Sequence, residues 1–325
     1  RKQEWARRAL RPFLFRRGLM SDNASTRARK GVLAMIGCCV IWGLSPLYYR
    51  LLGDIAPADV LAHRTIWSSV FFCGVLAIQG RIGFLRAALS ERRQIGWIVL
   101  AALMISVNWF LFIYAIQIDR VTETSLGYYI FPLVSVIFGY VLFGEGLSRL
   151  QWLAVALAAL AVVVLTIGLG AAPWISLVLA TTFGTYGVLK KRVSTGPVVS
   201  VTAEVLVLAP LAAIWLVAFA SIGLPDAGTM ALLIFSGPLT AGPLILFSYA
   251  AKRIRLATVG LLQYLNPSLQ FLLAAAIIGE PMGLPHAITF PLIWTALAIY
   301  SWVALAQDRA ARSASASAAT LGTGA

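Results

Sequence analysis

Acidic residues are scarce in this chain. Twelve Asp and Glu stand against 26 Lys and Arg in 325 residues, and the four types together make up 12% of the sequence, about half the ~25% of soluble domains. With 60% hydrophobic residues and a mean hydropathy of +0.87, this shortage of charge excludes an ordinary soluble domain. Histidine is rarer still. His63 and His286 are the only two, they lie far apart, and neither opens a ligand-spaced motif, so no metal site is expected. The three cysteines, Cys38, Cys39 and Cys73, sit inside apolar runs at spacings that fit neither a metal nor a disulfide framework, and read as small buried hydrophobes. Neither a Walker A sequence nor a dinucleotide fingerprint is present. Their absence disfavours ATP-driven work by this chain alone and leaves ion coupling, exchange or facilitated diffusion. No cofactor is expected, and no convergent catalytic set marks an enzyme.

Long apolar runs dominate what remains. They fall at roughly 31–53, 57–79, 95–117, 121–143, 149–169, 173–190, 197–220, 229–250, 256–278 and 286–306, and nearly all reach the ~20 residues that carry a helix across ~30 Å of hydrocarbon. The run at 173–190 is the short one. Because the runs are continuously apolar and do not alternate every second residue, a barrel is disfavoured. The expected fold is an all-α integral membrane protein of ten transmembrane helices, with no connection long enough for an independent domain.

The second half repeats the first. Ile113-Tyr114-Ala115, Arg120, Phe131-Pro132 and Gly144-Glu145 recur as Ser248-Tyr249-Ala250, Arg255, Asn266-Pro267 and Gly279-Glu280, every pair at the one offset that carries Tyr114 to Tyr249. A unit of five spans is odd, so its second copy enters the membrane upside down, which gives two inverted five-helix repeats at 31–169 and 173–306. Inverted repeats underlie many alternating-access carriers.

Basic residues set the orientation. Residues 1–30 carry ten Lys and Arg, and the loop 80–94, the cluster Lys190-Lys191-Arg192, then Lys252, Arg253 and Arg255, and finally Arg309 and Arg312 all fall on one side when ten spans are counted. The positive-inside rule places that side, with both termini, in the cytoplasm. The net charge of +14 therefore reports topology, and nucleic acid is not an expected partner. Residues 1–30 form a basic N-terminal segment, either disordered or resting on anionic lipid through Trp5, Leu10, Phe13, Leu14 and Phe15. The chain begins with Arg1, and Met20 opens a conventional lead into the first span, which leaves the authenticity of residues 1–19 open. Residues 307–325 read as a disordered cytoplasmic tail.

Polar residues inside the spans nominate the site. Glu204 lies in the seventh span, and the offset that aligns Gly43 with Gly184 also matches His63 to Glu204. A carboxylate at that depth must face a polar cavity, be protonated or pair with a cation. Glu204, His63, Arg64 and Glu123 are candidates for a polar network with possible proton coupling; a structural helix-to-helix hydrogen bond at Glu204 and a snorkelling Arg64 at the outer interface stand as the alternatives. Trp42, Asn108, Trp109, Tyr114, Tyr128, Tyr129, Tyr186, Tyr249, Gln263, Tyr264 and Asn266 are the candidate cavity residues. Aromatic walls with amide and phenol groups suit a small amphipathic metabolite. Tyr49, Trp97, Trp152, Trp174 and Trp302 are assigned instead to interfacial belts. Pro46, Pro132, Pro267 and the pairs Gly237-Pro238 and Gly242-Pro243 are candidate hinges, with static kinks as the competing reading; the two Gly-Pro pairs predict a bent or locally unwound helix.

These residues carry a resemblance. Pro57-Ala58-Asp59 leading to His63-Arg64 and Trp67, Asn108-Trp109, Glu123 with Ser125-Leu126-Gly127-Tyr128, Tyr186-Gly187 before Lys190-Lys191, Glu204 and Gln263-Tyr264 together resemble the RarD-type branch of the drug/metabolite transporter superfamily, over about 31–308. The resemblance implies the EamA-like fold of two inverted five-helix units, and secondary transport of small organic solutes across the bacterial inner membrane. It points to export of hydrophobic or aromatic amino acids or related drugs, with lipid-linked or polyprenyl-carrier translocation as the alternative. Phe131-Pro132 stands where that family commonly has Asn-Pro. A small solute and membrane lipids are the expected partners, protons a conditional one, and a monomer is a sufficient unit.

Overall fold

In hydrocarbon every backbone N–H and C=O must find its partner inside the protein, so continuous apolar runs fold as helices. The computed structural model describes the chain from Lys2 to Leu321 apart from residues 145, 171, 172, 191, 221, 222, 224, 252 and 255, and its side chains from 26 to 306 apart from these and 143, 169, 251, 256, 257, 260, 261 and 304. Glu145, Lys191, Lys252 and Arg255, used above for the repeat and the charge pattern, lie outside the described residues, as do the side chains of Arg309 and Arg312.

The elements are α1 (Lys2–Arg50), α2 (Pro57–Ile78), a short α3 (Ile82–Ala88), α4 (Arg92–Gln117), α5 (Val121–Phe143), α6 (Arg149–Leu169), α7 (Trp174–Lys190), α8 (Pro197–Ala218), α9 (Ala227–Ala251), α10 (Leu256–Gln263), α11 (Leu265–Leu273) running into a π-helical turn (Ala274–Ile278), and α12 (Leu284–Leu321). No strand occurs among the described residues. Eight helices, α1, α2, α4, α5, α6, α8, α9 and α12, hold a stretch long and apolar enough to cross a bilayer. The protein is an all-α, multi-pass membrane protein. The short α7 and the interrupted run α10–α11–π turn occupy the sixth and ninth expected spans. At the ends, α1 begins at Lys2, and α12 continues to Leu321 where the sequence suggests a disordered tail; the Ala-rich tail has high intrinsic helix propensity.

Local chemistry sets the boundaries. Pro57 and Pro197 stand in the first turns of α2 and α8, where a missing N–H costs nothing. Ser148 and Gln151 form a reciprocal capping box on α6. Asp226 accepts from the Gly228 and Thr229 amides and the Thr229 hydroxyl ahead of α9, and these bonds, the hydroxyl's first, hold its carboxyl below the usual aspartate range. Gly144 and Gly279 end α5 and the π turn at φ of +65° and +74°, the left-handed conformation that glycine adopts without strain. Their positions differ by the same offset that carries Tyr114 to Tyr249.

Of the bend or local unwinding expected of α9, the unwinding does not occur: one helix runs through Pro238 and Pro243. Gly237 serves there as a close-approach position, because a Cβ on it would stand 2.6 Å from the Trp67 carbonyl oxygen on α2. The break comes instead at Tyr264, between α10 and α11. Pro267 has no N–H for the Gln263 carbonyl four residues back and crowds it, so the ladder parts there.

α2 packs between α8 and α9, α1 against α9 and α11, α4 against α7 and α8, α5 against α7 and α11, and α6 against α12.

Candidate functional site

The packed helices line a partly open cavity of about 820 Å³, walled by α1, α2, α4, α5 and α7 together with α8 to α12, well within the range of small-molecule sites. One wall is a run of touching rings. Phe112 meets Tyr128 at 5.9 Å between centroids, Tyr128 meets Phe183 edge-on at 5.9 Å, and Phe183 contacts Phe131 at 4.7 Å and stacks on Tyr186 at 6.0 Å. Such a wall offers apolar area and π faces at little conformational cost.

The amides divide into committed and uncommitted groups. Asn108 Nδ2 donates to the Leu179 carbonyl (2.9 Å) and Thr182 Oγ1 (3.0 Å), and its Oδ1 accepts from the Tyr128 hydroxyl (3.2 Å). That network fixes α4 on α7 and orients Tyr128. Gln270 is similarly engaged, donating to Asn266 Oδ1 and accepting from Thr124. Gln263 lines the cavity at the α10–α11 break, and its side chain makes no hydrogen bond to a described residue.

Two cations border the cavity in different states. Lys190 donates to Glu204 Oε1 and to Ser200, and Glu204 also accepts from Ser200 Oγ (2.8 Å) and the Tyr186 hydroxyl (2.9 Å). Glu204 is fully buried, and this shell of three donors compensates the cost of placing a carboxylate in the interior. Arg64 is also buried and lines the cavity. Its Nε donates to Thr240 Oγ1 (2.9 Å) and its guanidinium lies 4.0 Å above the Trp109 ring. The snorkelling position considered for Arg64 is therefore not taken, because α2 turns this residue toward α4 and α9.

Of the residues nominated from sequence, Trp42, Asn108, Trp109, Tyr128, Tyr186, Gln263, Tyr264, Asn266, Arg64, Pro132 and Pro267 line the cavity. The others do not. Tyr129 follows Tyr128 by about 100° of helix, and this carries its hydroxyl to Ser268 and its ring to Phe290 and Trp294. Tyr114 stacks on Phe110, and Tyr249 is exposed beneath the Arg253 guanidinium at 3.4 Å. Glu123 pairs with Arg120 at 3.0 Å, and His63, Glu204, Pro46, Gly237, Pro238, Gly242 and Pro243 are not in the wall, although Glu204 reaches it through Lys190 and Tyr186. Sequence reading missed Lys190, counted as a loop charge, and Tyr49, assigned to a belt but buried against Phe112. The offset that matches His63 to Glu204 also pairs Tyr49 with Lys190, a signal that was available.

The EamA-like transporter family matches residues 29–167. Protein RarD of Streptomyces exfoliatus is 43% identical over 89% of this chain and 94% of its own length, and an uncharacterized transporter, YojE, of Bacillus subtilis (strain 168) is 39% identical over 88% and 98%. A crystal structure of a protein 20% identical superposes with a TM-score of 0.59 over 84% of this chain and 97% of that one, a likeness of fold. With near-full coverage of such relatives on both sides, this chain belongs to the RarD-type transporters of the EamA-like drug/metabolite transporter superfamily.

Proposed function

We propose that this transporter is a secondary carrier that exports small amphipathic metabolites, hydrophobic or aromatic amino acids foremost, across the bacterial inner membrane by alternating access. The observation that carries this reading is the 820 Å³ cavity whose aromatic and amide wall is drawn from both halves of the chain.

The reading takes 31–169 and 173–306 as inverted five-helix units, with α7 as sixth pass, the α10–α11 run as ninth, and both termini cytoplasmic. The helix packing supports it. Under that correspondence α1 on α9 answers to α7 on α4, α1 on α11 to α7 on α5, and α2 on α9 to α8 on α4, while α2 on α8, α6 on α12 and α5 on α11 each map onto themselves. A match between single residues agrees. Gly43 abuts Leu269; its repeat mate Gly184 abuts Val134, which the Tyr114-to-Tyr249 offset carries to Leu269. A site at the interface of inverted units is where one rocking against the other alternates access.

Proteoliposomes preloaded with unlabelled phenylalanine and offered labelled phenylalanine test the reading. Saturable counterflow is expected. An imposed pH gradient that accelerates flux adds proton coupling, whereas indifference to it removes coupling and leaves the carrier. Channel-like flux that does not saturate, or no movement of any hydrophobic amino acid, refutes the proposal. Labelling of single cysteines at positions 86 or 191 from outside the cell refutes the topology.

A further inference from the structure

Guanidinium keeps its charge at any pH a protein meets, and a buried charge demands an opposite one or a full set of hydrogen bonds. Arg64 has little of either. It is 7% exposed, its Nε bond to Thr240 is the one hydrogen bond it makes to a described residue, and Trp109 and Tyr49 cover it with ring faces at 4.0 and 5.7 Å. Among the described residues no carboxylate lies within ion-pair distance of it; the pairs present are Arg50–Asp119, Arg120–Glu123 and Lys190–Glu204. The other cation in the cavity wall, Lys190, is neutralised by Glu204. One positive charge therefore faces the cavity with no carboxylate in ion-pair distance among the described residues.

We infer that Arg64 is the docking point for a carboxylate on the transported solute. The inference rests on the carrier reading and narrows it to monocarboxylates with an apolar or aromatic body. A planar guanidinium whose Nε is already anchored presents its remaining donors in a fixed fork that matches a carboxylate. Thr240 is satisfied on both sides, accepting from Arg64 and donating to the Ser236 carbonyl, so the anchor is held in turn. The one open charge favours a single carboxylate over a dianionic phosphate, which would leave a net negative charge in a low-dielectric space. With the acid group on Arg64, the ring wall of Phe112, Tyr128, Phe131 and Phe183 is left for the body of the solute.

Calorimetry on the purified full-length protein in nanodiscs, with two matched pairs of probes, tests this: 3-phenylpropanoate against 3-phenylpropanamide, and L-phenylalanine against L-phenylalaninamide. Each carboxylate is expected to bind about tenfold or more tightly than its amide, the size of effect expected of a charge-assisted pair. Arg64→Gln should lower the carboxylates to the affinity of the amides while leaving the amides within about twofold, and Arg64→Lys should retain part of the gap. Equal binding of acid and amide by the unaltered protein overturns the inference, as does an equal loss for both in R64Q or no binding by any of the four probes. If R64Q does not fold, the comparison on the unaltered protein decides. Binding is read apart from flux: Arg64-dependent binding without counterflow removes the carrier reading and keeps this site, whereas saturable counterflow of acid and amide alike removes this site and keeps the carrier.

Discussion

Leu269 on α11 lies so close to Gly43 on α1 that a Cβ at residue 43 would stand 2.7 Å from the Leu269 Cβ and 2.9 Å from its Cδ1, with the Asn266 carbonyl oxygen at 3.2 Å. Gly43→Ala must therefore push α1 from α11, at a cost of about 1–3 kcal/mol. At Gly184 the nearest atoms are the ends of the Phe138 and Val134 side chains at 3.1 Å, which can give way. Thermal unfolding of the purified variants should show a clear loss for G43A and a smaller one for G184A. Equal shifts would contradict the packing described.

The Lys190–Glu204 pair predicts an order of damage. The Glu204 side chain is 2% exposed and that of Lys190 23%, so the carboxylate is the worse one to leave alone. Lys190→Met should destabilise by about 3–5 kcal/mol, Glu204→Gln by less, and the double variant should recover a substantial part of the K190M loss. Additive effects in this double-mutant cycle would mean that the two groups are not coupled.

Gln263 separates function from stability, since its amide holds nothing in place among the described residues. Gln263→Ala should leave the unfolding temperature within error and change the KM of counterflow several-fold. Tyr128→Ala should do both, because its hydroxyl also holds Asn108. Trp302, 71% exposed on the outer face of α12, should tolerate Ala in both assays. A transport defect in W302A equal to that in Q263A counts against the cavity as the solute site.

Glu280 joins the chain's two halves at one end. It follows the π turn, and its carboxylate accepts from the Val121 and Thr122 amides and the Thr122 hydroxyl at the start of α5, where the helix dipole also favours a negative charge. Glu280→Ala is expected to cost about 1–3 kcal/mol and to speed hydrogen exchange at the Val121 and Thr122 amides. Unchanged exchange there would show that these bonds are not kept in the membrane.

The helices were legible because long apolar runs leave the backbone no alternative: the run predicted at 57–79 is α2 at Pro57–Ile78, and that at 121–143 is α5. The location of the break was not. Proline counts point to α9, which carries two and stays helical, whereas α11 parts from α10 ahead of a single Pro267; neighbouring helices decide whether freed carbonyls are tolerated, and a sequence does not show its neighbours. In the cavity, the repeat-matched Tyr128 and Gln263 were found by register, but Tyr129 shared every compositional property of Tyr128 and differed only in helical phase. Lys190 was hidden by its company. Beside Lys191 and Arg192 it reads as a cytoplasmic charge, and only Glu204 on the facing helix turns it inward.

The joint at Tyr264 makes α5 and the α10–α11 run mechanically unequal. α5 passes its Pro132 as one unbroken rod, while the run after α9 is two short rods, α10 and α11, meeting at a single residue. Bending stiffness in a helix comes from its hydrogen-bond ladder, so compliance in the cavity wall is concentrated between Gln263 and Leu265. Gln263 belongs to α10 on one side of that joint, and Asn266 and Gln270 to α11 on the other, all three in the cavity wall. The cavity wall thus has one continuous strut and one elbow, and a change in cavity shape costs least where the elbow bends.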